Sequence, residues 1–275
     1  MGILKIAGGT PQDADGGVFN VESGSSLTFM VPVALEDNYV MAGYSGGAVY
    51  AGGQVDFAYE ATFLRNKAMG DDDGDIDAGN GGAIAVGPEG AVTLHDFSFF
   101  TENVVDSGGQ GGAIENLGYL EFGRASYFRF NEAKENGDEV GGLGGALYTG
   151  EGSTTYFRRR TIMQNNEASN GGALYNSGST ELASNGFFRG NKALGTDAAD
   201  GGHIYTAGTL EIQGSVNLSK GSARRDGGAI YVAREGVVTA AGSMFNDNEA
   251  GESCDDAAFV ADNFAVECQS FLPGP

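Results

Sequence analysis

The sequence contains few of the residues that build metal centres, redox sites or catalytic pairs. It has no tryptophan, and among its 275 residues there are only two cysteines, two histidines and five prolines. Cys254 and Cys268 lie near the C-terminus, outside any metal-ligand or redox spacing. They form either one disulfide, which favours an oxidising compartment, or two unpaired thiols. His95 and His203 are far apart in the repeat described below, so we expect no shared metal or acid–base pair.

Basic residues are also scarce. The sequence has 15 lysines and arginines and 37 acidic residues, which gives a formal net charge of −22. A negative charge of this size repels nucleic-acid phosphates and anionic lipid headgroups, so we expect no nucleic-acid partner. No stretch approaches the roughly 20 apolar residues of a membrane-spanning helix, and the N-terminal segment lacks the apolar run of a signal peptide. We therefore expect no direct membrane insertion, and an export signal that is missing or removed.

Glycine, by contrast, is abundant and regularly placed. The 48 glycines do not follow the three-residue period of collagen. Many of them occur as pairs at intervals of 26 to 35 residues, a period typical of solenoids, propellers or arrays. The pairs begin at Gly16, Gly46, Gly81, Gly111, Gly144, Gly171, Gly201 and Gly227.

Each glycine pair is followed by two short strand-like segments and a closing Phe-x-x-Asn element. The first segment is apolar, as in residues 48–50, and the second alternates apolar and polar residues, as in residues 54–60. Leu35-x-x-Asn38 and Val216-x-x-Ser219 are interpreted as weaker copies of the closing element. The clear copies are Phe63-x-x-Asn66, Phe100-x-x-Asn103, Phe128-x-x-Asn131, Met163-x-x-Asn166, Phe188-x-x-Asn191 and Phe245-x-x-Asn248.

Three short strands per unit, without a helical period, predict one coil of a parallel β-helix rather than a propeller blade, which needs four strands of its own. Equivalent strands of successive coils pair at about 4.8 Å, so eight coils make a rod about 40 Å long. Inward positions must then match along the stack. We predict an all-β solenoid of about eight coils, one domain with coils over residues 16–250 and caps over 1–15 and 251–275.

The paired motifs Gly-Gly-Ala-(Ile/Leu/Val) and Phe-x-x-Asn resemble the repeats of the polymorphic outer-membrane proteins over roughly residues 16–250. The resemblance implies a single-stranded, right-handed β-helix that is exported and used in adhesion or structural contact. We therefore expect a non-enzymatic protein of the cell surface, the extracellular space or another exported compartment, which presents sheet faces and loops to a partner protein or glycan. Two alternatives stay open: a polysaccharide lyase, hydrolase or epimerase on this scaffold, and a structural subunit of a larger assembly.

Four tyrosines occupy equivalent positions in consecutive units and are predicted to form an outward aromatic stripe. They are Tyr148, Tyr175, Tyr205 and Tyr231. Such a stripe suits sugar faces or a flat partner, because each ring offers apolar area and a polar hydroxyl group. Alternatively, the rings only pack across strands, which contributes about 0.2 to 1 kcal/mol per pair.

An acidic loop between two coils is a candidate Ca²⁺ site. It holds alternating carboxylates beside a glycine, which is the kind of oxygen-ligand set that Ca²⁺ prefers. The residues are Asp71, Asp72, Asp73, Asp75 and Asp77, and of these Asp71, Asp73, Asp75 and Asp77 are the predicted ligands. The alternative is a solvated acidic loop without a metal. No other cofactor is indicated.

The enzymatic alternative depends on a group of arginines near the middle of the chain. A polysaccharide lyase or epimerase needs a basic group close to carboxylates, and a hydrolase needs opposed carboxylates. Arg158, Arg159 and Arg160 are consecutive, and Arg129 and Arg189 lie one coil to either side. The other interpretation is that these arginines point outward and offset nearby acidic charge.

Overall fold

Strands of successive turns stack into four sheets in the computed structural model of this chain. Every ladder is parallel except the last one, and no helix occurs among the residues that are described. The predicted all-β parallel solenoid of about eight coils is confirmed. For residues 257–260 and 266–269 the backbone alone is described. The described residues are 2–9, 14–41, 43–70, 79–136, 141–183, 185–196, 199–240, 243–252, 254–255, 257–260 and 266–269.

Sheets 1 and 2 contain the two strands that follow each glycine pair. The strands of sheet 1 are Phe19–Val21, Val49–Ala51, Ile84–Val86, Ile114–Asn116, Leu147–Thr149, Leu174–Asn176, Ile204–Thr206, Ile230–Val232, Ala257–Val260 and Val266–Gln269. The strands of sheet 2 are Ser26–Phe29, Gln54–Phe57, Ala91–Leu94, Tyr119–Phe122, Thr154–Phe157, Ser179–Leu182, Thr209–Ile212 and Val237–Ala240.

Sheets 3 and 4 contain the strands on either side of the closing asparagine. The strands of sheet 3 are Leu4–Ala7, Val33–Glu36, Ala61–Leu64, Phe97–Thr101, Ala125–Arg129, Arg160–Gln164, Gly186–Arg189, Val216–Ser219 and Met244–Asn246. The strands of sheet 4 are Tyr39–Val40, Lys67–Ala68, Val104–Val105, Glu132–Ala133, Glu167–Ala168, Lys192–Ala193, Ser222–Ala223 and Glu249–Ala250.

The prediction of three strands per coil is wrong, because sheet 4 adds a fourth. Each of its strands is only two residues long, as in Lys67–Ala68 and Lys192–Ala193. Two residues cannot display the alternation that reveals a strand in a sequence. The fourth strand nevertheless pairs in register with its neighbours along the stack.

Aromatic ladders fill the interior of the solenoid. Phe63, Phe100 and Phe128 occupy the same inward position of successive coils, and their rings stack with centroids 4.7 and 4.8 Å apart. Phe122 and Phe157 stack in the same way at 4.7 Å on the neighbouring sheet. These side chains are almost completely buried. Parallel, in-register pairing thus places like residues face to face, which explains why the inward positions repeat.

The glycine pairs form the corner that leads into sheet 1. Gly171 has a φ of +60°, a backbone conformation that glycine adopts at little cost. At the second glycine, Gly172, a Cβ atom would lie 2.4 Å from the carbonyl oxygen of Gly202 on the next coil. The first glycine therefore allows the turn, and the second allows neighbouring coils to approach closely.

A ladder of buried asparagines fixes the corner between sheets 3 and 4. Asn131 Nδ2 donates to Asn166 Oδ1 at 2.9 Å and to the carbonyl oxygen of Phe100 at 3.0 Å. Its own Oδ1 accepts from the backbone N–H and from Nδ2 of Asn103, both at 3.0 Å. The same pattern links the asparagine ladder, whose members are Asn38, Asn66, Asn103, Asn131, Asn166 and Asn191.

Additional strands lie at both ends of the stack, within the segments predicted as caps. Leu4–Ala7 pairs with Val33–Glu36 and adds one rung to sheet 3. Ala257–Val260 continues sheet 1, and Val266–Gln269 pairs with it in the antiparallel direction. Pairing of this kind covers strand edges that otherwise invite end-to-end association.

Replacing one ladder asparagine tests this account of the corner. We expect Asn131→Ala to lower the free energy of unfolding by about 3 kcal/mol or more, because several buried hydrogen-bonding groups lose their partner. Urea denaturation followed by circular dichroism measures the change. The control Asn20→Ala alters an exposed asparagine and should stay within about 0.5 kcal/mol of the wild type. Equal stability of the two variants would contradict the proposed role.

Candidate functional site

The four predicted tyrosines lie on adjacent rungs at the middle position of the sheet 1 strands. Their rings stack on one another, with centroid distances of 5.5, 4.5 and 5.1 Å and interplanar angles of 17°, 5° and 22°. We call Tyr148, Tyr175, Tyr205 and Tyr231 the tyrosine stack. It forms one continuous aromatic row over four coils of the sheet.

Stacking determines which parts of the tyrosine side chains are exposed to a ligand. The rings cover one another's faces, so the outer surface of the row consists of ring edges and hydroxyl groups. Tyr231 is only 8% exposed, whereas the other three are half-buried. Burial raises the pKa of each hydroxyl, and at Tyr175 the neighbouring Tyr205 raises it further. The hydroxyls therefore stay protonated and able to donate hydrogen bonds, while stacking on sugar faces is limited to the ends of the row.

An ion pair flanks the buried end of the tyrosine stack. Arg225 Nε donates to Asp200 Oδ1 at 2.8 Å, and a second Arg225 nitrogen reaches Asp200 Oδ2. The Asp200 side chain is 1% exposed, so this bidentate pair is well shielded from solvent on the carboxylate side. Hydrogen bonding to Asp200 raises the pKa of Arg225, which therefore keeps its positive charge beside Tyr231.

A buried carboxyl group, missed by sequence reasoning, lies at the other end of the same row. Glu115 pairs with Tyr148 on one side and with Ala85 on the other. It is 6% exposed, and no hydrogen bond joins its carboxyl group to another described residue. Burial, assisted by the negative charge of Asp15, raises its pKa to about 8. The signal in the sequence was a single acidic residue at a position where other coils have tyrosine, alanine or asparagine.

The predicted arginines lie along the outer side of sheet 3 and its preceding turn. Arg158 donates to both oxygens of Glu121 at 3.1 and 3.3 Å, and its guanidinium lies 4.3 Å from the Tyr156 ring centroid. Arg129 and Arg189 occupy one ladder, separated by Gln164. The structure thus brings the arginines to one surface, where Arg158 is already engaged with an acidic neighbour.

A histidine, rather than an asparagine, continues the asparagine ladder in the seventh coil. The prediction that Val216-x-x-Ser219 is a weaker copy of the closing element is wrong. Leu218 pairs with Phe188, so Gly221 occupies the position that Asn191 has in the preceding coil. His203 fills the space: Asn191 Nδ2 lies 2.9 Å from His203 Nδ1. Since the amide donates, Nδ1 accepts and the ring proton lies on Nε2.

Burial makes this histidine unusual. The side chain of His203 is 0% exposed, and burial lowers its pKa to about 3. A neutral imidazole is what the ladder requires, since a protonated ring could not accept from Asn191. His95, by contrast, is exposed and lies 3.7 Å from Asp56 Oδ1. The two histidines therefore have separate environments.

Two further predictions concern residues at the limits of the described chain. The candidate Ca²⁺ ligands Asp71, Asp73, Asp75 and Asp77, together with Asp72, lie outside the described residues. In the described part of the chain, no group of three or more His, Cys, Asp or Glu side chains could hold a metal ion.

The predicted disulfide joins two residues near the C-terminus. The backbone of Cys268 lies opposite Ala258, and Ala258 is four residues after Cys254. The Cys254–Cys268 disulfide stays a prediction.

Comparison with known proteins does not identify a family for this chain. No family model, curated protein or solved structure matches this chain significantly. The resemblance to polymorphic outer-membrane protein repeats therefore rests on the sequence motifs alone. Within the described ranges, the structure has no helix long and apolar enough to cross a membrane.

The buried histidine should make stability depend on pH. The folded pKa of about 3 lies below the ordinary value of 6.5, so the unfolded chain binds more protons between these values. We expect His203 to reduce the free energy of unfolding by about 1.4 kcal/mol for each unit that the pH falls through this window. The destabilisation caused by His203→Ala should shrink accordingly from pH 7 to pH 4. A constant difference would contradict this, and His95→Ala is the exposed control.

Glu115 should have the opposite effect on stability. The pKa of Glu115 in the folded chain, about 8, lies above the ordinary value of 4.5. Between these two pH values the folded chain therefore binds more protons than the unfolded chain. We expect this group to lower the free energy of unfolding by about 1.4 kcal/mol per unit as the pH rises from 4.5 to 8. Glu115→Gln should therefore gain stability over the wild type toward pH 8 in urea titrations. Glu211→Gln, at an exposed position, should show no such gain.

Proposed function

We propose that this protein is a non-enzymatic binding protein of the cell surface or extracellular space, which presents its flat sheet faces to a partner. The tyrosine stack is the observation that carries the proposal. It offers an ordered row of ring edges and hydroxyl groups across four coils. Because the ring faces are occupied, the row suits a flat protein surface better than the face of a sugar, and a glycan is the second class of partner.

The physical basis of such binding is preorganisation. Tyrosine is enriched at protein interfaces because its ring contributes apolar area and its hydroxyl contributes a hydrogen bond. Rings that are already stacked lose little side-chain entropy when a partner binds. The raised pKa of each hydroxyl keeps the row neutral, so binding through the stack would depend weakly on salt and on pH near neutrality.

The proposed location and family rest on the repeat motifs. Multiple copies of Gly-Gly-Ala-(Ile/Leu/Val) with Phe-x-x-Asn resemble polymorphic outer-membrane protein repeats, which suggests an exported protein with a right-handed β-helix and a role in adhesion. A Cys254–Cys268 disulfide would agree with an oxidising compartment. Ca²⁺ binding by the acidic loop belongs to the same proposal.

The tyrosine stack also favours a second candidate function, assembly with further copies of this chain or with other subunits. In an assembly the half-buried rings of Tyr148, Tyr175 and Tyr205 would be covered completely. Sedimentation equilibrium separates the two candidates, because assembly through the stack requires a concentration-dependent mass in the absence of any other protein.

Substitution within the stack tests both versions. Tyr175→Ser combined with Tyr205→Ser should weaken binding to immobilised extracellular-matrix proteins, a glycan array or further copies of the chain by about tenfold or more, since interface tyrosines often contribute over 1 kcal/mol each. Tyr39→Ser combined with Tyr59→Ser is the matched control, because these tyrosines are 37% exposed and lie outside the stack.

Two results would count against the proposal. Unchanged association in the stack variant would exclude the tyrosines as the contact. Turnover in a polysaccharide-cleavage screen, run with and without Ca²⁺, would support the alternative of a carbohydrate-active lyase, hydrolase or epimerase. Circular dichroism of each variant checks that the solenoid is intact.

A further inference from the structure

Positive charge is concentrated on one surface of this strongly acidic chain. Six of its 15 basic residues lie on the outer side of sheet 3 or in the turn before it, within three consecutive coils. They are Arg124, Arg129, Arg158, Arg159, Arg160 and Arg189. In a protein with a net charge of −22, a local cluster of arginines is the surface most able to attract an anion.

Four of these arginines surround a hollow, which we call the arginine hollow. Phe97, Ala125 and Arg160 follow one another on a single outer ladder. Together with Ala183, these residues line an open depression of about 630 Å³, and the small side chain of Ala125 leaves room between its two larger neighbours. Tyr127 also lines this depression, and its ring stacks on Phe99 at 4.9 Å. The arginines that line it are Arg124, Arg158, Arg159 and Arg160.

The four arginines differ in how they are held. Arg124 lies 4.7 Å from the Phe97 ring centroid and 3.3 Å from Asp96, and Arg158 is held by Glu121 and Tyr156. Arg159 and Arg160 are exposed, and no described carboxylate lies within ion-pair distance of them. The hollow thus combines two positioned cations with two whose donors face solvent. A guanidinium group can donate two parallel hydrogen bonds to two oxygens of one carboxylate or sulfate group.

The shape and spacing of the surface favour a sugar polymer as the source of the anion. Ala125, Phe97 and Tyr127 give the hollow an apolar part, which suits the C–H groups of a sugar ring. Arg129 and Arg189 are two rungs apart on their ladder, about 10 Å at the usual strand spacing. Each strand of a DNA duplex carries one phosphate for about every 3.4 Å of helix axis, and the acidic chain would repel this denser charge more strongly.

We propose that the arginine hollow binds the carboxylate or sulfate group of an acidic sugar within an anionic polysaccharide. This site lies on sheet 3, whereas the tyrosine stack lies on sheet 1, so the proposal does not depend on the tyrosines. Arg159 and Arg160 supply the ligand-binding donors, while Arg124 and Arg158 add fixed positive charge at the rim.

Binding to defined polymers tests the proposal. The intact chain is titrated with polygalacturonate, a sulfated galactan, neutral dextran and a single-stranded oligonucleotide at low ionic strength. We expect saturable binding to at least one of the two anionic polysaccharides and none to dextran. Preference between them identifies the anion as carboxylate or sulfate. Higher salt should weaken the binding, because the site is open to solvent.

Paired substitutions localise the binding. Arg159→Gln combined with Arg160→Gln should weaken it about a hundredfold, because each charge-assisted hydrogen bond contributes roughly a factor of ten. Arg65→Gln combined with Arg224→Gln removes the same charge elsewhere and should have a small effect. Thermal melts confirm that both variants fold, and Tyr175→Ser with Tyr205→Ser should bind the polysaccharide normally.

Three outcomes would overturn the proposal. They are the absence of saturable binding to both anionic polysaccharides, an equal loss of affinity in the two arginine variants, and tighter binding of the oligonucleotide than of either polysaccharide. Each outcome leaves the tyrosine proposal unaffected, because the two tests use different substitutions.

Discussion

Hydrogen bonding between identical positions of successive coils is the constraint on which the rest of this structure depends. At the corner between sheets 3 and 4, the side chain of a buried asparagine such as Asn131 hydrogen-bonds to the coil before it and to the coil after it, through its amide and carbonyl groups. Such a group is costly to bury without a partner, so each coil requires a matching neighbour. The inward residues therefore repeat along the chain, while the outward residues are free to differ.

This constraint requires a hydrogen-bonding partner at each corner, and the partner need not be an asparagine. In the seventh coil the asparagine is replaced by Gly221, and the imidazole of His203 reaches into the vacated space to pair with Asn191. Freedom on the outer faces, in turn, allows each sheet its own chemistry. Sheet 1 has a neutral row of tyrosine edges, whereas sheet 3 has a cluster of arginines around Ala125. The two proposed binding surfaces therefore lie on different sheets of one scaffold.

The sequence was sufficient to predict the solenoid, because glycine pairs and Phe-x-x-Asn elements recur at inward positions and corners. It was not sufficient for the strand count, since two-residue strands such as Lys67–Ala68 show no period. It also could not predict that His203 substitutes for a ladder asparagine, because Gly221 and His203 meet only through the stacking of coils. The row of tyrosines was predictable from spacing, whereas the orientation of the rings and the burial of Tyr231 and Glu115 required the structure.

Distance measurement along one outer ladder tests the in-register stack most directly. Gln54 and Val237 are exposed and separated by 183 residues in sequence, yet they lie on one ladder of sheet 2, six rungs apart. Spin labels attached there through a ketone-bearing amino acid should give a narrow distance distribution near 30 Å, from about 4.8 Å per rung. A broad distribution, or a mean far from this value, would contradict the stacking of equivalent coils.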